Sequence, residues 1–136
     1  MDKKILIVVT VVILAIALFF VWNSVASKAP VQTFIIPEGI ILFFGEDCPH
    51  CKNVEAFIKE NNIEQKVQFA KLEVPFYMKT SPQLVANSEI LLKVAGICNV
   101  NTKNGVPIPF LYDGATTCLS GDVDVINFFK AKAGIQ

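Results

Sequence analysis

Hydrophobic and polar residues are distributed in two different ways along this chain. Ile5 to Trp22, ILIVVTVVILAIALFFVW, runs for 18 residues without a charge, whereas from Gly39 onward short apolar runs alternate with polar spacers. The first pattern predicts a helix just long enough to cross a hydrocarbon core. Lys3 and Lys4 precede it and Trp22 closes it as an interfacial anchor. Lysines on the short N-terminal side predict that this end stays in the cytoplasm and the rest of the chain lies extracytoplasmic. A cleaved signal peptide is the alternative, with Ser24-Val25-Ala26 as the small residues a peptidase needs. The apolar run exceeds the ~7–15 residues of a signal core, which favours an uncleaved signal-anchor. Residues 23–34, small and polar, read as a tether, which leaves residues 35–136 as one domain.

Within that domain the periodicity switches between two and 3.6. Gly39 to Phe44, GIILFF, is a continuous apolar run, as expected for a strand buried on both faces. Val54, Phe57, Ile58 and Ile63 recur near helical spacing with Lys52, Asn53, Glu55, Lys59 and Glu60 between them, and Asn61-Asn62 stops that helix. Val67 to Val74, VQFAKLEV, alternates and reads as a second strand. Ser81-Pro82 is an N-cap followed by proline at the first helical position, and the helix it opens runs to Gly96, with a break expected near Asn87-Ser88. Phe110-Leu111-Tyr112, the turn at Asp113-Gly114, and Thr116 to Leu119 form a hairpin, and Asp122 to Lys132 is a last amphipathic helix. The order β-α-β-α-β-β-α predicts an α/β fold: a small mixed sheet flanked by helices.

Composition narrows the function. Twelve lysines balance twelve carboxylates, and there is no arginine. Arginine is the preferred fork for phosphates and base edges, so no nucleic-acid partner is expected. The hydrophobic share of 53% is owed in large part to residues 5–22.

The chemistry concentrates in FFGEDCPHC, residues 43–51. Cys48 follows a predicted strand and opens a helix whose first residue is Pro49. Its sulfur meets unpaired backbone N–H groups and the positive end of the helix dipole, which favour thiolate over thiol. His50 adds a positive charge or a donated hydrogen bond; Asp47 beside the cysteine works against it. Cys51, one helical turn on, brings a second sulfur into bonding range. This makes Cys48 an accessible nucleophile. A zinc site needs four ligands where this motif offers two. A purely structural bridge closing so short a ring constrains little of the unfolded chain. A redox pair remains the strongest reading. Cys98 and Cys118 form a candidate second disulfide; two buried free thiols, or a relay between the pairs, are the alternatives. Phe44 and Phe110 are core residues with a lesser claim to forming an apolar platform for a peptide.

From about Ile35 to Lys132 the chain resembles the thioredoxin fold, with FFGEDCPHC as its strand-to-helix active site. The C-P-H-C resembles that of DsbA-type oxidases, and the small size with C-P-x-C resembles glutaredoxins. The resemblance implies a cis-proline opposite the cysteines at the start of the next strand. Pro109, preceded by Ile108, fits best, because with Pro107 in that role Pro109 would interrupt a central strand; Pro107 is the alternative. Leu42 stands where thioredoxins carry a buried aspartate, so the proton acceptor for Cys51 falls to Glu46, Asp47 or water. Asp47 replaces thioredoxin's tryptophan, and Ser120-Gly121 replaces the twin glycine that glutaredoxins use for glutathione.

Together these readings predict a membrane-anchored thiol–disulfide oxidoreductase. It would exchange disulfides with extracytoplasmic protein or small-thiol substrates and with a redox partner. Cys48, Cys51 and His50 are the catalytic residues, the Cys48–Cys51 bridge is the only redox group, and no metal or other cofactor is required. The alternative is a membrane-tethered module that binds a soft metal, copper or zinc, through the same cysteines.

Overall fold

Ile40–Phe44 (β1) explains the architecture. Successive side chains of a strand point to opposite faces, and here both directions are apolar. Ile41 and Phe43 enter one core with Val74, Ile90, Leu91, Val94, Phe110 and Tyr112. Leu42 enters a second core with Val54, Ile58, Ile63, Val67, Leu111, Val125 and Phe129. A strand buried on both sides needs a layer of helices above and below it, and the remaining elements supply these layers.

The computed structural model describes residues 3–4, 12–20, 35–76 and 80–136. After β1 come Pro49–Glu60 (α1), the four-residue Ile63–Lys66 (α2), Phe69–Glu73 (β2), Pro82–Ile97 (α3), Phe110–Tyr112 (β3), Cys118–Ser120 (β4) and Asp122–Ala133 (α4). The sheet order is β2-β1-β3-β4. β2 lies parallel to β1, with Ile40 opposite Phe69 and Phe44 opposite Glu73. β3 runs antiparallel to β1, and β4 antiparallel to β3 with Tyr112 opposite Cys118. The residues of α1 and α4 fill one core and those of α3 the other. A βαβ unit followed by a ββα unit around one mixed sheet is a thioredoxin-like arrangement, as the resemblance implied.

Local signals account for most boundaries. Ser81 Oγ accepts from Leu84 N–H at 3.2 Å and Pro82 opens α3. Asp122 and Asp124 in the first turn of α4, and Lys130 and Lys132 in its last, match the helix dipole; Gly134 at φ 66° ends the helix. One expected break is absent: α3 runs through Asn87-Ser88. Ser88 Oγ donates to Leu84 O, and buried Asn87 reaches out of the helix to donate to Glu73 O at 2.7 Å. Their polar groups are satisfied without opening the backbone, and Asn87 pins α3 to the end of β2. α2 is a turn of helix not expected from the periodicity, and the second strand covers five residues, Phe69–Glu73, of the expected Val67 to Val74.

The expected transmembrane helix requires correction. The chain divides into two units, Met1–Thr33 and Phe34–Gln136. In the first, residues 12–20 are helical. Among the described residues no helix is long and apolar enough to cross a membrane. Residues 5–11 and 21–22, the tether over 23–34 and the candidate cleavage site at 24–26 lie outside the described residues.

Candidate active site

The site is built at the C-terminal end of β1. Gly45 follows the strand, the chain turns with Cys48 N–H donating to Gly45 O at 3.1 Å, and α1 begins at Pro49. Cys48 is the N-cap, in extended conformation at φ −79° and ψ 119°. Its Sγ does what a capping oxygen does elsewhere, accepting from Cys51 N–H at 3.4 Å. On its other side the Cys48 thiol donates to Ile108 O at 3.7 Å. Cys51 Sγ accepts from Gly45 N–H at 3.5 Å. Both cysteines are free thiols, so the structure is that of the dithiol.

Exposure differs from expectation. Cys48 is only 3% exposed and Cys51 1%. The cover comes from the segment before β3, where Ile108 lies over the end of β1. A Cβ at Gly45 would sit 2.8 Å from Phe76 Cβ and 2.9 Å from Ile108 Cδ1. Only glycine lets the two side chains close so near the cysteines. The Ile108–Pro109 peptide is cis, and Pro109 is buried, whereas Pro107 is exposed.

The two thiols are chemically unequal. Burial pushes the Cys51 thiol up to about 12, aided by its contact with Cys48 and by the charge of Glu55; the Gly45 N–H acts in the opposite direction. At neutral pH Cys51 therefore stays protonated and must lose its proton to act. Leu42, in the buried position proposed for an acceptor, is fully enclosed in the core, and Glu46 and Asp47 are exposed. The linkage sign follows. An acidic group whose folded value lies above its ordinary 9.0 keeps its proton in the native chain after the unfolded chain has lost it. Stability of the dithiol protein is then complete below pH ~9 and falls as pH rises toward ~12. Urea unfolding of the reduced protein across that range should show the decline, and Cys51→Ala should flatten it. Parallel curves for the two proteins would disprove the assignment.

His50 sits at the second position of α1 with its side chain 67% exposed. Its Nδ1 lies 3.1 Å from Asp122 Oδ1, and the Asp122 side chain is 19% exposed. Asn53 donates to the other oxygen, Oδ2, at 2.6 Å. Asp122 is held below the usual carboxylate range by the Asn53 amide first, with backbone N–H and His50 adding to it. Neither Asn53 nor Asp122 was singled out by the sequence as part of the site. They lie 69 residues apart, and each reads locally as an ordinary helix-surface residue. Gly45 was also passed over, although a glycine between a strand and a cysteine is itself a sign of close packing.

Cys98, the C-cap of α3, is bridged to Cys118 in β4, with Cα atoms 6.0 Å apart. The free-thiol alternative for Cys98 and Cys118 therefore does not describe this structure. The bridge encloses the segment that carries Ile108 and Pro109. Phe110 is buried beneath α3, and half-buried Phe44 lies under the Lys71 ammonium at 5.2 Å from its ring centre. Among the described residues, no three His, Cys, Asp or Glu side chains converge as a metal site would require.

No protein-family profile and no curated protein matches the chain. Among solved structures, a glutaredoxin from Archaeoglobus fulgidus is similar with a TM-score of 0.42 and 18% identity, over 74% of this chain and 96% of that one.

Proposed function

We propose that this chain is a thiol–disulfide oxidoreductase whose redox group is the Cys48–Cys51 pair. The observation that carries the reading is the placement of Cys48: an N-cap whose sulfur accepts the Cys51 N–H, with Ile108 O opposite. The Cys51 N–H and the helix start stabilise negative sulfur. The thiolate of Cys48 attacks a substrate disulfide, forming a mixed disulfide and expelling one substrate thiolate, which takes up a proton. Cys51 then loses its proton and attacks Cys48 Sγ, closing the Cys48–Cys51 bridge and releasing the second substrate thiol. Two electrons pass from the dithiol to the substrate; the same steps reversed oxidise a substrate dithiol. When Cys48 loses its proton the donor to Ile108 O is gone, which frees the sulfur to turn toward substrate.

The substrates are protein or small-thiol disulfides, with a separate redox partner to reset the pair. The working compartment is one oxidising enough to keep Cys98–Cys118 closed. His50 serves as the tuning residue of Cys48.

The test is capture. Reduced Cys51→Ala, mixed with oxidised glutathione or a disulfide peptide, should accumulate a one-to-one mixed disulfide at Cys48, seen by intact mass and reversed by dithiothreitol. If no adduct forms while the unfolded protein reacts normally, the assignment fails.

A further inference from the structure

We propose that the apolar crevice under residues 105–108 receives a bulky apolar side chain of the polypeptide whose disulfide Cys48 attacks. The preferred substrates are then protein disulfides flanked by such side chains, ahead of glutathione. The inference rests on the redox reading above and narrows its substrate class.

The crevice begins beside the end of β1. Val74 N–H donates to Phe44 O at 2.8 Å, which ties the residue after β2 to the last residue of β1. Val74 and Leu91, both buried, form the floor; half-buried Phe76, Val106 and Ile108 form the walls, and exposed Pro107 stands at the mouth. Gly105, at φ 84° with its N–H on Thr102 O at 3.0 Å, makes the turn from which Val106 and Ile108 pack back onto the first core. The volume is about 410 Å³, within the ~300–1,000 Å³ of sites that enclose small ligands.

The crevice and the reacting sulfur share a residue. Ile108 lines the crevice, and its carbonyl oxygen accepts from the Cys48 thiol at 3.7 Å. Phe76 and Ile108 also close together on Gly45, in the turn that leads to Cys48. Successive Cα atoms of a chain lie ~3.8 Å apart, so a neighbour of the attacked cysteine is within reach of the mouth.

The lining sets the chemistry of the occupant. None of the described residues that form it carries a charge. Its one side-chain hydroxyl, on Ser88, already donates to Leu84 O at 2.9 Å. An apolar side chain gains by leaving water here, whereas a carboxylate would lose its hydration without finding a partner. Glutathione ends in carboxylates and has no apolar side chain, so the crevice adds nothing to its binding. A leucine or phenylalanine beside the attacked cysteine stays bound through the transition state and raises kcat/KM.

The experiment measures exchange of the reduced protein with symmetric disulfides of short peptides, with oxidised glutathione and with hydroxyethyl disulfide. The peptides carry leucine, phenylalanine, serine or glutamate directly before or directly after the cysteine. Wild type should exchange the leucine and phenylalanine peptides about tenfold faster than the serine peptide or glutathione, the lower end of what apolar pockets distinguish. Val106→Lys should bring that ratio near one and favour the glutamate peptide instead, a reversal that an unfolded variant would not show. If Val106→Lys does not fold, Val106→Thr, which keeps the shape and adds a hydroxyl, should lower the same ratio. Equal wild-type rates for all the peptides, or a preference that persists in the folded variant, would overturn the inference and leave the redox reading standing. A wild type that exchanges with none of these disulfides, hydroxyethyl disulfide included, overturns both.

Discussion

Cys48→Ser is expected to lower disulfide exchange by about a thousandfold or more, on the scale of losing a nucleophile elsewhere. The hydroxyl cannot form the mixed disulfide, and it is not ionised near neutral pH. Nor can Cys51 take over. Its thiol is pushed up to about 12 by burial, so it is not ionised at neutral pH. Cys51→Ala should behave differently, retaining the first step and failing at the second. Insulin-disulfide reduction measures the overall reaction and intact mass the half-reaction. Retention of more than a few per cent of wild-type turnover by Cys48→Ser would show that the chemistry lies elsewhere. The two variants thus separate attack from resolution.

Loss of the Cys98–Cys118 bridge should have the largest effect on stability. It joins the end of α3 to β4 across a separation of 20 residues. A loop of that length, once closed, removes about 3 kcal/mol of chain entropy from the unfolded state. For a unit of roughly a hundred residues this corresponds to a fall in Tm of about 12 °C or more. The double variant Cys98→Ser/Cys118→Ser, followed by circular dichroism in urea and on heating, gives the number directly. A loss of less than about 1 kcal/mol would mean that the bridge is open in the protein as purified. Because the bridge encloses Ile108 and Pro109, the same variant should also alkylate faster at Cys48. That gain follows from looser cover over the sulfur, not from any change in α1.

The parts of the fold set by local chemistry were readable in the sequence. GIILFF signals a strand covered on both faces because no polar residue interrupts it, and Ser81-Pro82 signals a helix start because each residue meets a need of the first turn. The strand-to-helix position of Cys48 follows from the same kind of evidence. What was not readable depends on residues distant in the chain. Asn87 looked like a helix break because its partner, the carbonyl of Glu73, is not visible from its neighbours. The approach of Phe76 and Ile108 to Gly45, and of Ile108 O to the Cys48 thiol, is something no periodicity reveals. His50 was read beside the sulfurs that flank it in sequence, whereas its ring pairs with a residue 72 positions on. The apolar stretch over 5–22 met the composition of a membrane span, yet among the described residues no helix is long and apolar enough to cross one.

The absent side chain at position 45 has an effect out of proportion to its size. Phe76 and Ile108 already occupy the volume that even a methyl group would need, and Ile108 also supplies the oxygen that faces the Cys48 sulfur. A substitution there would therefore change the electron chemistry without altering any group that takes part in it. Over evolutionary drift this position should tolerate less variety than exposed, charged Asp47, although nothing but a hydrogen atom stands there.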